Sequence, residues 1–479
     1  MTAGSTPDRL WDPVLVQRQA RQLSELAATI LTRQDGAVRA PDCVEMVNRV
    51  LRSRFAPEHV GALVQQIGEA SLHLSHPRYV AQQVAAPIPL AALVETVVAA
   101  LNNSLSVWEM SPAGTAIDRD LMRAFKRLFG YPAKADGTTV PGGAFANLTA
   151  MLAARASLAP ASWKRGGGKI AVLAGSQAHY TVSRAAGIMG LGSNAVFQIP
   201  LDELHRTDTR QTPAVFRAAR NAGFRKFMLV GTCGSTPTGS CDDLKSLADV
   251  ARQEGAWLHV DAAHGGGMAY SRRYRFRLKG IESADSITFD PHKMLFMPLT
   301  ASTVLFRQGR HLRTCLEQHA PYLFSSAPRK LPDIGQSTIA CSQRLDALKT
   351  WLTWKAYSDD LWDELTTHVC DVAQTAYDYC ARSPMLEPLH KPQLNILCFR
   401  LRHSTRSAGA SDRLHWRIKE TLNGSGKAYI SSTVLDGRRV FRIVIMNPRT
   451  RDTDVIQVME EIEKIAAGFI TKRRSADRG

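Results

Sequence analysis

The chain has 479 residues, of which 44% are hydrophobic and 22% charged, which excludes a disordered protein and predicts a globular one with two or three domains. No run approaches the roughly 18 apolar residues of a membrane span, and the N-terminus lacks a basic stretch followed by an apolar core, so neither a membrane protein nor a secretory signal is expected. The formal net charge is +17, but the basic residues are spread along the whole chain, so no nucleic-acid partner is expected.

Residues 1–105 are predicted to form a helical N-terminal arm. Their apolar residues recur at helical spacing, as in Val44, Val47 and Leu51. The predicted helices span residues 11–32, 41–55, 57–74 and 89–107. An amphipathic arm of this kind needs a surface that covers its apolar face, and a second subunit is one candidate.

Residues 106–340 are predicted to form a large α/β domain. From about Gly130 onward, strands alternate with helices and glycine-rich corners, which is typical of a mostly parallel sheet covered on both faces. The predicted strands span residues 170–174, 227–230, 257–261, 286–290 and 303–306.

Residues 341–470 are predicted to form a smaller α+β domain. It begins and ends with helices, at 345–379 and 454–469. Between them we predict strands at 394–401, 428–433 and 440–446. The tail, 471–479, is expected to be disordered.

A lysine lies directly after one buried strand of the large domain. The strand ends at Asp290-Pro291, and Lys293 follows on the loop. Ligands of α/β proteins gather at the carboxyl ends of strands, and a desolvated lysine there is a nucleophile that forms imines. A neighbouring strand ends in Asp261. An imine-forming amine and an anion for a pyridinium nitrogen are what pyridoxal 5'-phosphate (PLP) requires.

Three further segments carry polar or small residues at the ends of predicted elements. The Gly142-Gly143-Ala144 corner precedes a helix, whose free N–H groups bind phosphate. His179 follows the strand that ends at Ala174, where an imidazole can stack on a pyridine ring. Thr232, Ser235 and Thr236 follow another strand. Taken singly, each segment also fits a plain turn or a structural histidine.

The order of these motifs resembles one enzyme family. The motifs are Gly142-Gly143-Ala144, His179-Tyr180, Gly234-Ser235-Thr236, His259-Val260-Asp261-Ala262-Ala263 and Asp290-Pro291-His292-Lys293. Between about residues 76 and 448 the chain resembles the group II PLP-dependent amino-acid decarboxylases. Some stretches are similar to the glutamate and cysteine-sulfinate branch, whereas residues 344–349 are more similar to the diaminobutyrate branch. The resemblance implies PLP fold type I and a homodimer whose active sites lie at the subunit interface.

The resemblance also implies roles for individual residues. Lys293 would hold PLP, Asp261 would keep the pyridine nitrogen protonated, and His179 would stack on the ring. The residues implied around the phosphate, the ring and its oxygen are Gly142, Gly143, Ala144, Thr236, Ala263 and His292. Gln82 matches a position that faces substrate.

Tyr322 matches the family's mobile-loop acid, which protonates the product carbanion. A phenylalanine there favours oxidative deamination in this family, so the tyrosine favours simple decarboxylation, although Pro321 departs from the pattern and leaves a packed loop aromatic as an alternative. Gln343 stands where the glutamate enzymes carry an arginine, so it is a substrate-binding candidate and strict glutamate specificity is not expected. His264 replaces an aromatic residue, and Asp290 replaces an asparagine and is expected to face a donor.

The sequence therefore predicts a fold-type-I PLP enzyme that decarboxylates an L-amino acid. Another reaction of this fold, such as an aldehyde-forming oxidative deamination or a lyase, is the alternative. A non-catalytic scaffold is expected to lose Lys293 or Asp261, and both are present. The eight cysteines show neither C-x-x-C pairs nor zinc spacing, which predicts reduced thiols, a cytoplasmic location and no metal site. The sequence does not define which amino acid is the substrate.

Overall fold

A seven-stranded sheet forms the centre of the molecule. The computed structural model describes residues 12–39, 43–52, 59–316, 318–324, 331–402 and 407–476. The strands of this sheet are β2 (Asp136–Val140), β3 (Ile170–Gly175), β4 (Val196–Ile199), β5 (Lys226–Thr232), β6 (Trp257–Asp261), β7 (Ser286–Phe289) and β8 (Ser302–Phe306). Their order is β2-β8-β7-β6-β5-β3-β4, and only β8 runs antiparallel to its neighbours. The mostly parallel α/β sheet predicted from the sequence is therefore confirmed.

Successive residues of the central strands belong to two different hydrophobic cores. In β5, Phe227 and Leu229 pack into one core, whereas Met228 and Val230 pack into the other. Side chains alternate across a strand, so a continuous apolar run is buried on both faces when helices cover both. The helices are α1 (Pro13–Thr32), α2 (Cys43–Arg52), α3 (Val60–Glu69), α4 (Pro89–Leu101), α5 (Pro112–Leu128), α6 (Gly143–Leu158), α7 (Ser162–Arg165), α8 (Thr181–Ile188), α9 (Thr212–Asn221), α10 (Leu244–Glu254), α11 (Arg310–Thr314), α12 (Ala347–Arg382), α13 (Ala408–Gly424) and α14 (Asp452–Ala476).

The N-terminal arm is helical, as predicted, but it also contributes a strand to the smaller sheet. That sheet has the order β1-β11-β12-β10-β9. Its strands are β1 (Tyr79–Val80), β9 (Leu386–Pro388), β10 (Ile396–Leu401), β11 (Tyr429–Leu435) and β12 (Arg438–Val444). Because β1 pairs in parallel with β11, one sheet joins the first 105 residues to the C-terminal part.

Two helices end differently from the prediction. Helix α4 stops at Leu101 rather than at residue 107, because Asn102 adopts the left-handed conformation that terminates helices, with φ 46°. The closing helix α14 continues to Ala476, so the tail expected to be disordered begins as helix, and residues 477–479 lie outside the described residues. Within the described ranges, no helix is both long and apolar enough to cross a bilayer.

Candidate active site

The carboxyl ends of four central strands surround a cavity of about 170 Å³. In the β5, β6 and β7 register, Thr232, Asp261 and Thr288 lie level with one another, so the loops leaving these strands meet. The start of α6 closes the other side. The lining residues are Gly143, Ala144, Asn147, His179, Thr232, Gly234, Thr236, Asp261, Ala263, His264, Asp290, His292 and Lys293. They include every predicted cofactor residue except Gly142, which directly precedes α6.

Lys293 lies on the turn that follows β7, as the Asp290-Pro291 signal predicts. Its amine, Nζ, is 3.3 Å from Asp290 Oδ2, and the Asp290 side chain is only 1% exposed. The other oxygen, Asp290 Oδ1, is buried without a hydrogen-bond partner among the described residues. Asp290 therefore faces a donor, the Lys293 amine. Its second oxygen, Oδ1, can still accept a hydrogen bond.

Asp261 ends β6 with both carboxylate oxygens occupied. Its Oδ1 accepts from the Ala263 N–H at 3.1 Å, and its Oδ2 accepts from Asn147 Nδ2 at 2.9 Å. The residue is 6% exposed. Two donors on separate oxygens fix the orientation of the carboxylate.

Two imidazoles of the cavity wall are neutral at pH 7. Burial lowers the pKa of His179, whose Nδ1 lies 2.8 Å from Thr181 Oγ1. Burial, with a further contribution from the Lys293 charge, lowers the pKa of His264 to about 3. His264 Nε2 lies 2.7 Å from Asn395 Oδ1. Because an amide oxygen only accepts, His264 carries its proton on Nε2.

The start of helix α6 is shaped for close approach. Gly142 has φ 109°, a conformation that favours glycine, and it reverses the chain between β2 and α6. A Cβ at Gly143 would lie 2.6 Å from Asp290 Oδ2, so only glycine fits. The first N–H groups of a helix have no partner within it, and its dipole favours an anion there. This corner is therefore suited to a phosphate.

Besides Gly142, three predicted site residues do not line the cavity of this chain. Tyr322 is 90% exposed, and Gln82 is also exposed. Gln343 is buried, but its Nε2 donates to the Thr139 carbonyl at 2.6 Å and to Thr139 Oγ1 at 2.8 Å. The amide of Gln343 thus serves the contact with β2, and the structure does not place it against the cavity.

The sequence interpretation missed two polar residues near the cavity. Asn147 lies one helical turn after Gly143 and therefore shares its face of α6, so the spacing alone was a usable signal. Arg442, in β12, is 4% exposed, and its Nη2 has no hydrogen-bond partner among the described residues. Burial lowers the pKa of Arg442 to about 10, and its charge reaches His264 on the cavity wall. No sequence pattern distinguishes such an arginine from the many exposed ones.

The fold and this cavity define a class of enzyme. The model of the pyridoxal-dependent decarboxylase conserved domain matches residues 63–402, so the chain belongs to that family and is a PLP-dependent carboxy-lyase. Its residues fit PLP: an amine, a carboxylate held by two donors, a neutral imidazole and a helix start converge on one cavity. Within the described residues, no group of acidic, histidine and cysteine side chains is arranged to hold a metal ion.

Individual relatives agree with this class. The chain is 31% identical over 418 residues to L-2,4-diaminobutyrate decarboxylase of Rhizobium meliloti (strain 1021), covering 85% of this chain and 82% of the relative. Mouse CSAD superimposes with a TM-score of 0.89 at 24% identity, over 96% of this chain and 99% of that one. Oryza sativa TDC with PLP and tryptamine superimposes with a TM-score of 0.84 at 22% identity, over 98% and 99%.

Proposed function

We propose that this enzyme removes the α-carboxylate of an L-amino acid, releasing CO₂ and a primary amine, with Lys293 as the residue that binds PLP. The single observation that carries this proposal is the convergence of Lys293, Asp261 and His179 on one small cavity. When bound, PLP supplies the electron sink for the breaking Cα–carboxylate bond. The chain's own residues have to hold the cofactor, orient the substrate and move protons.

Asp261 is proposed to hold the proton of the pyridine nitrogen. A carboxylate that already accepts two hydrogen bonds is fixed in position and cannot turn away. His179 would contact the cofactor ring, and its neutral state would avoid repulsion with a cationic pyridinium. Gly142, Gly143 and Ala144 provide the helix start for the phosphate, with His292 and Thr236 beside it. Ala263, which also lines the cavity, would contact the ring.

Asp290 is proposed to hold the Lys293 amine in place. The 3.3 Å contact between them balances a buried negative charge that would otherwise oppose the phosphate. A Cβ at residue 143 would collide with the same Asp290 carboxylate. Lys293, Asp290 and the start of helix α6 therefore pack against one another, so a change in one should displace the others.

Arg442 is proposed to bind a carboxylate of the substrate. A buried cation is costly unless an anion pairs with it. Arg442 donates instead to neutral oxygens, namely the Pro237 and Ala81 carbonyls and Ser431 Oγ. An anion that arrives with the substrate would complete the pair and draw the amino acid into the site. L-2,4-Diaminobutyrate is the first substrate to test, because it is the substrate in the name of the 31% identical relative.

A homodimer with shared active sites is proposed from two exposed features. Helices α1 and α3 have no fully buried residue, and apolar side chains of the arm such as Val14 and Leu51 are 75% and 76% exposed. Tyr322 is 90% exposed on its own chain. We propose that the arms cover each other and that Tyr322 of the partner subunit protonates the product, with Gln82 facing the substrate.

A cytoplasmic location is proposed from the thiols. The seven cysteines that the structure describes as free are Cys233, Cys241, Cys315, Cys341, Cys370, Cys380 and Cys398. All except Cys341 are buried, where burial raises the pKa of thiols such as Cys315, Cys380 and Cys398 to about 12. Inert, unpaired thiols fit a reducing compartment.

Product analysis tests the proposed reaction. Purified enzyme with PLP is expected to show the yellow absorbance of an imine and to release CO₂ and amine from one member of a panel containing glutamate, cysteine sulfinate, diaminobutyrate, ornithine and aromatic amino acids. Tyr322→Phe is expected to lower amine release about a hundredfold, a typical contribution of a positioned acid, and to yield carbonyl product. Equal amounts of aldehyde and CO₂ from the unaltered enzyme would favour the aldehyde-forming alternative instead.

A further inference from the structure

A line of hydrogen bonds runs through the buried floor of the site. Asn147 Nδ2 donates to Asp261 Oδ2; a carboxylate oxygen only accepts, so this contact fixes which end of the amide is nitrogen. Asn147 Oδ1 therefore faces His259 Nε2 at 3.1 Å, and His259 must carry its proton there. His259 Nδ1 then accepts from the Ser286 hydroxyl at 2.9 Å, while Ser286 Oγ accepts from Trp257 Nε1 at 3.0 Å.

His259 is buried, and its contact with Asn147 Oδ1 selects the tautomer with the proton on Nε2. It is 1% exposed in β6, and burial lowers its pKa to about 4. A neutral imidazole has one N–H, and Asn147 Oδ1 can use only that one. His259 consequently prevents the Asn147 amide from flipping, because a flipped amide would direct its NH₂ group at an N–H and its oxygen at a carboxylate.

The second hydrogen of the same amide leads to the other cofactor residue. Asn147 Nδ2 also lies 2.9 Å from Thr181 Oγ1. With that hydrogen accepted, the Thr181 hydroxyl has its own proton to give, and His179 Nδ1 is 2.8 Å away. Donation by Thr181 would make His179 Nδ1 the acceptor and place the His179 proton on Nε2.

We propose that Asn147, held by His259, is a positioning residue that sets two features of the site at once: the orientation of the Asp261 carboxylate and the tautomer of His179. Every polar group of the Asn147 amide is hydrogen-bonded: Nδ2 donates to Asp261 and Thr181, and Oδ1 accepts from His259. A buried network with all members satisfied specifies one arrangement, whereas a partly satisfied one allows several. This inference rests on the proposed function of Asp261 and His179 as PLP contacts.

Two substitutions of His259 separate positioning from packing. His259→Gln keeps an N–H near the position of Nε2, whereas His259→Phe keeps the ring but removes the donor. We expect the dissociation constant for PLP to rise about tenfold in His259→Phe, which is about 1.4 kcal/mol, and to stay within about threefold of the unaltered enzyme in His259→Gln. The spectrum of bound PLP should become pH-dependent in His259→Phe, because a misaligned Asp261 holds the pyridine proton less tightly.

A substitution of Thr181 tests the His179 branch and does not depend on His259→Phe folding. In Thr181→Val the side chain keeps nearly the same shape but has no hydroxyl to donate to His179 Nδ1. Thr181→Ser keeps the hydroxyl. We expect kcat to fall about tenfold in Thr181→Val, roughly the loss of one hydrogen bond, with unchanged PLP affinity, and to recover in Thr181→Ser.

His415→Phe is the matched control. His415 is also buried, at 3% exposure, with a pKa lowered by burial to about 4, but it packs on Phe441 in the small sheet. This variant should leave PLP affinity and spectrum unchanged. Wild-type PLP affinity and spectrum in His259→Phe, whatever His259→Gln shows, would overturn the inference. Failure of the unaltered enzyme to bind PLP would instead overturn the proposed function.

Discussion

The floor and the mouth of the cavity differ in how completely one chain builds them. On the floor, Asp261 and Asn147 have partners for all their polar side-chain atoms, and these partners belong to the same chain. We assign the proposed mouth to Tyr322, which is exposed, and to Arg442, a buried cation without an anion among the described residues. The polar groups of Asp261 and Asn147 on the floor are therefore hydrogen-bonded within one chain, whereas Arg442 at the proposed mouth can still bind an anion.

This difference matches the two tasks of the enzyme. A cofactor that stays bound is best held by a rigid, satisfied network that needs no rearrangement. A substrate that comes and goes has to meet groups whose interactions are completed only when it arrives. The largest expected effects therefore come from the floor, and changes at the mouth should alter substrate use while leaving the cofactor in place.

Lys293→Ala is the most severe change to the floor. If Lys293 binds PLP as proposed, the variant has no covalent attachment for the cofactor, so kcat should fall by about a thousandfold or more, equivalent to about 4 kcal/mol of barrier. The imine absorbance should disappear, and a spectrum of the purified variant checks this directly. Full activity in Lys293→Ala would contradict the assignment of the whole site.

Arg442→Met tests the mouth. Loss of the buried cation should lower kcat/KM about a hundredfold, as expected for a charge-assisted contact to substrate, with unchanged PLP affinity. The free energy of unfolding should stay equal or rise, because an unpaired buried charge is removed.

Arg439→Met is the matched control, since Arg439 lies on the same strand and donates to Ser432 Oγ. Urea unfolding and steady-state kinetics of both variants measure these effects. Equal losses of kcat/KM in the two variants, or a marked destabilisation in Arg442→Met alone, would contradict a substrate-binding arginine.

Acid should destabilise the floor through its neutral histidines. His259 has a folded-state pKa of about 4, below the ordinary 6.5, so the unfolded chain binds an extra proton between these values and stability falls as pH drops below about 6.5. Between pH 7 and 5, His259 alone should cost about 2 kcal/mol of unfolding free energy. His259→Gln should lose that much less over the same interval, as urea unfolding at both pH values would show. An identical pH slope would mean that His259 is not buried in its neutral form.

The sequence was sufficient to locate Lys293 and Asp261, but not Asn147 on the floor or Arg442. Lys293 and Asp261 follow apolar runs that are buried on both faces, and such runs identify strands and their ends. The edge strands β2 and β4 were missed because β2 contains glycine and threonines, and β4 is short and only partly buried. Their sequences lack the apolar run that reveals the central strands.

Side-chain partners from distant segments explain the remaining differences. Gln343 is predicted to contact substrate because it stands where the glutamate enzymes carry an arginine; in the structure its Nε2 donates to Thr139 in β2, and its Oε1 has no partner among the described residues. Arg442 is a candidate substrate contact because it is buried without an anionic partner. Its guanidinium donates only to neutral oxygens of Ala81, Pro237 and Ser431, which lie in three other segments. Neither fact is present in local sequence patterns.

Mixed dimers test most directly whether two chains complete one site. Lys293→Ala and Tyr322→Phe chains carrying different tags would be co-expressed, and amine release would be measured on the purified mixture. If Tyr322 acts on the partner's Lys293, random pairing gives a heterodimer with one intact site, and amine release should return to about a quarter of the unaltered rate. Amine release no higher than the sum of the two parent variants would contradict a mouth shared between subunits.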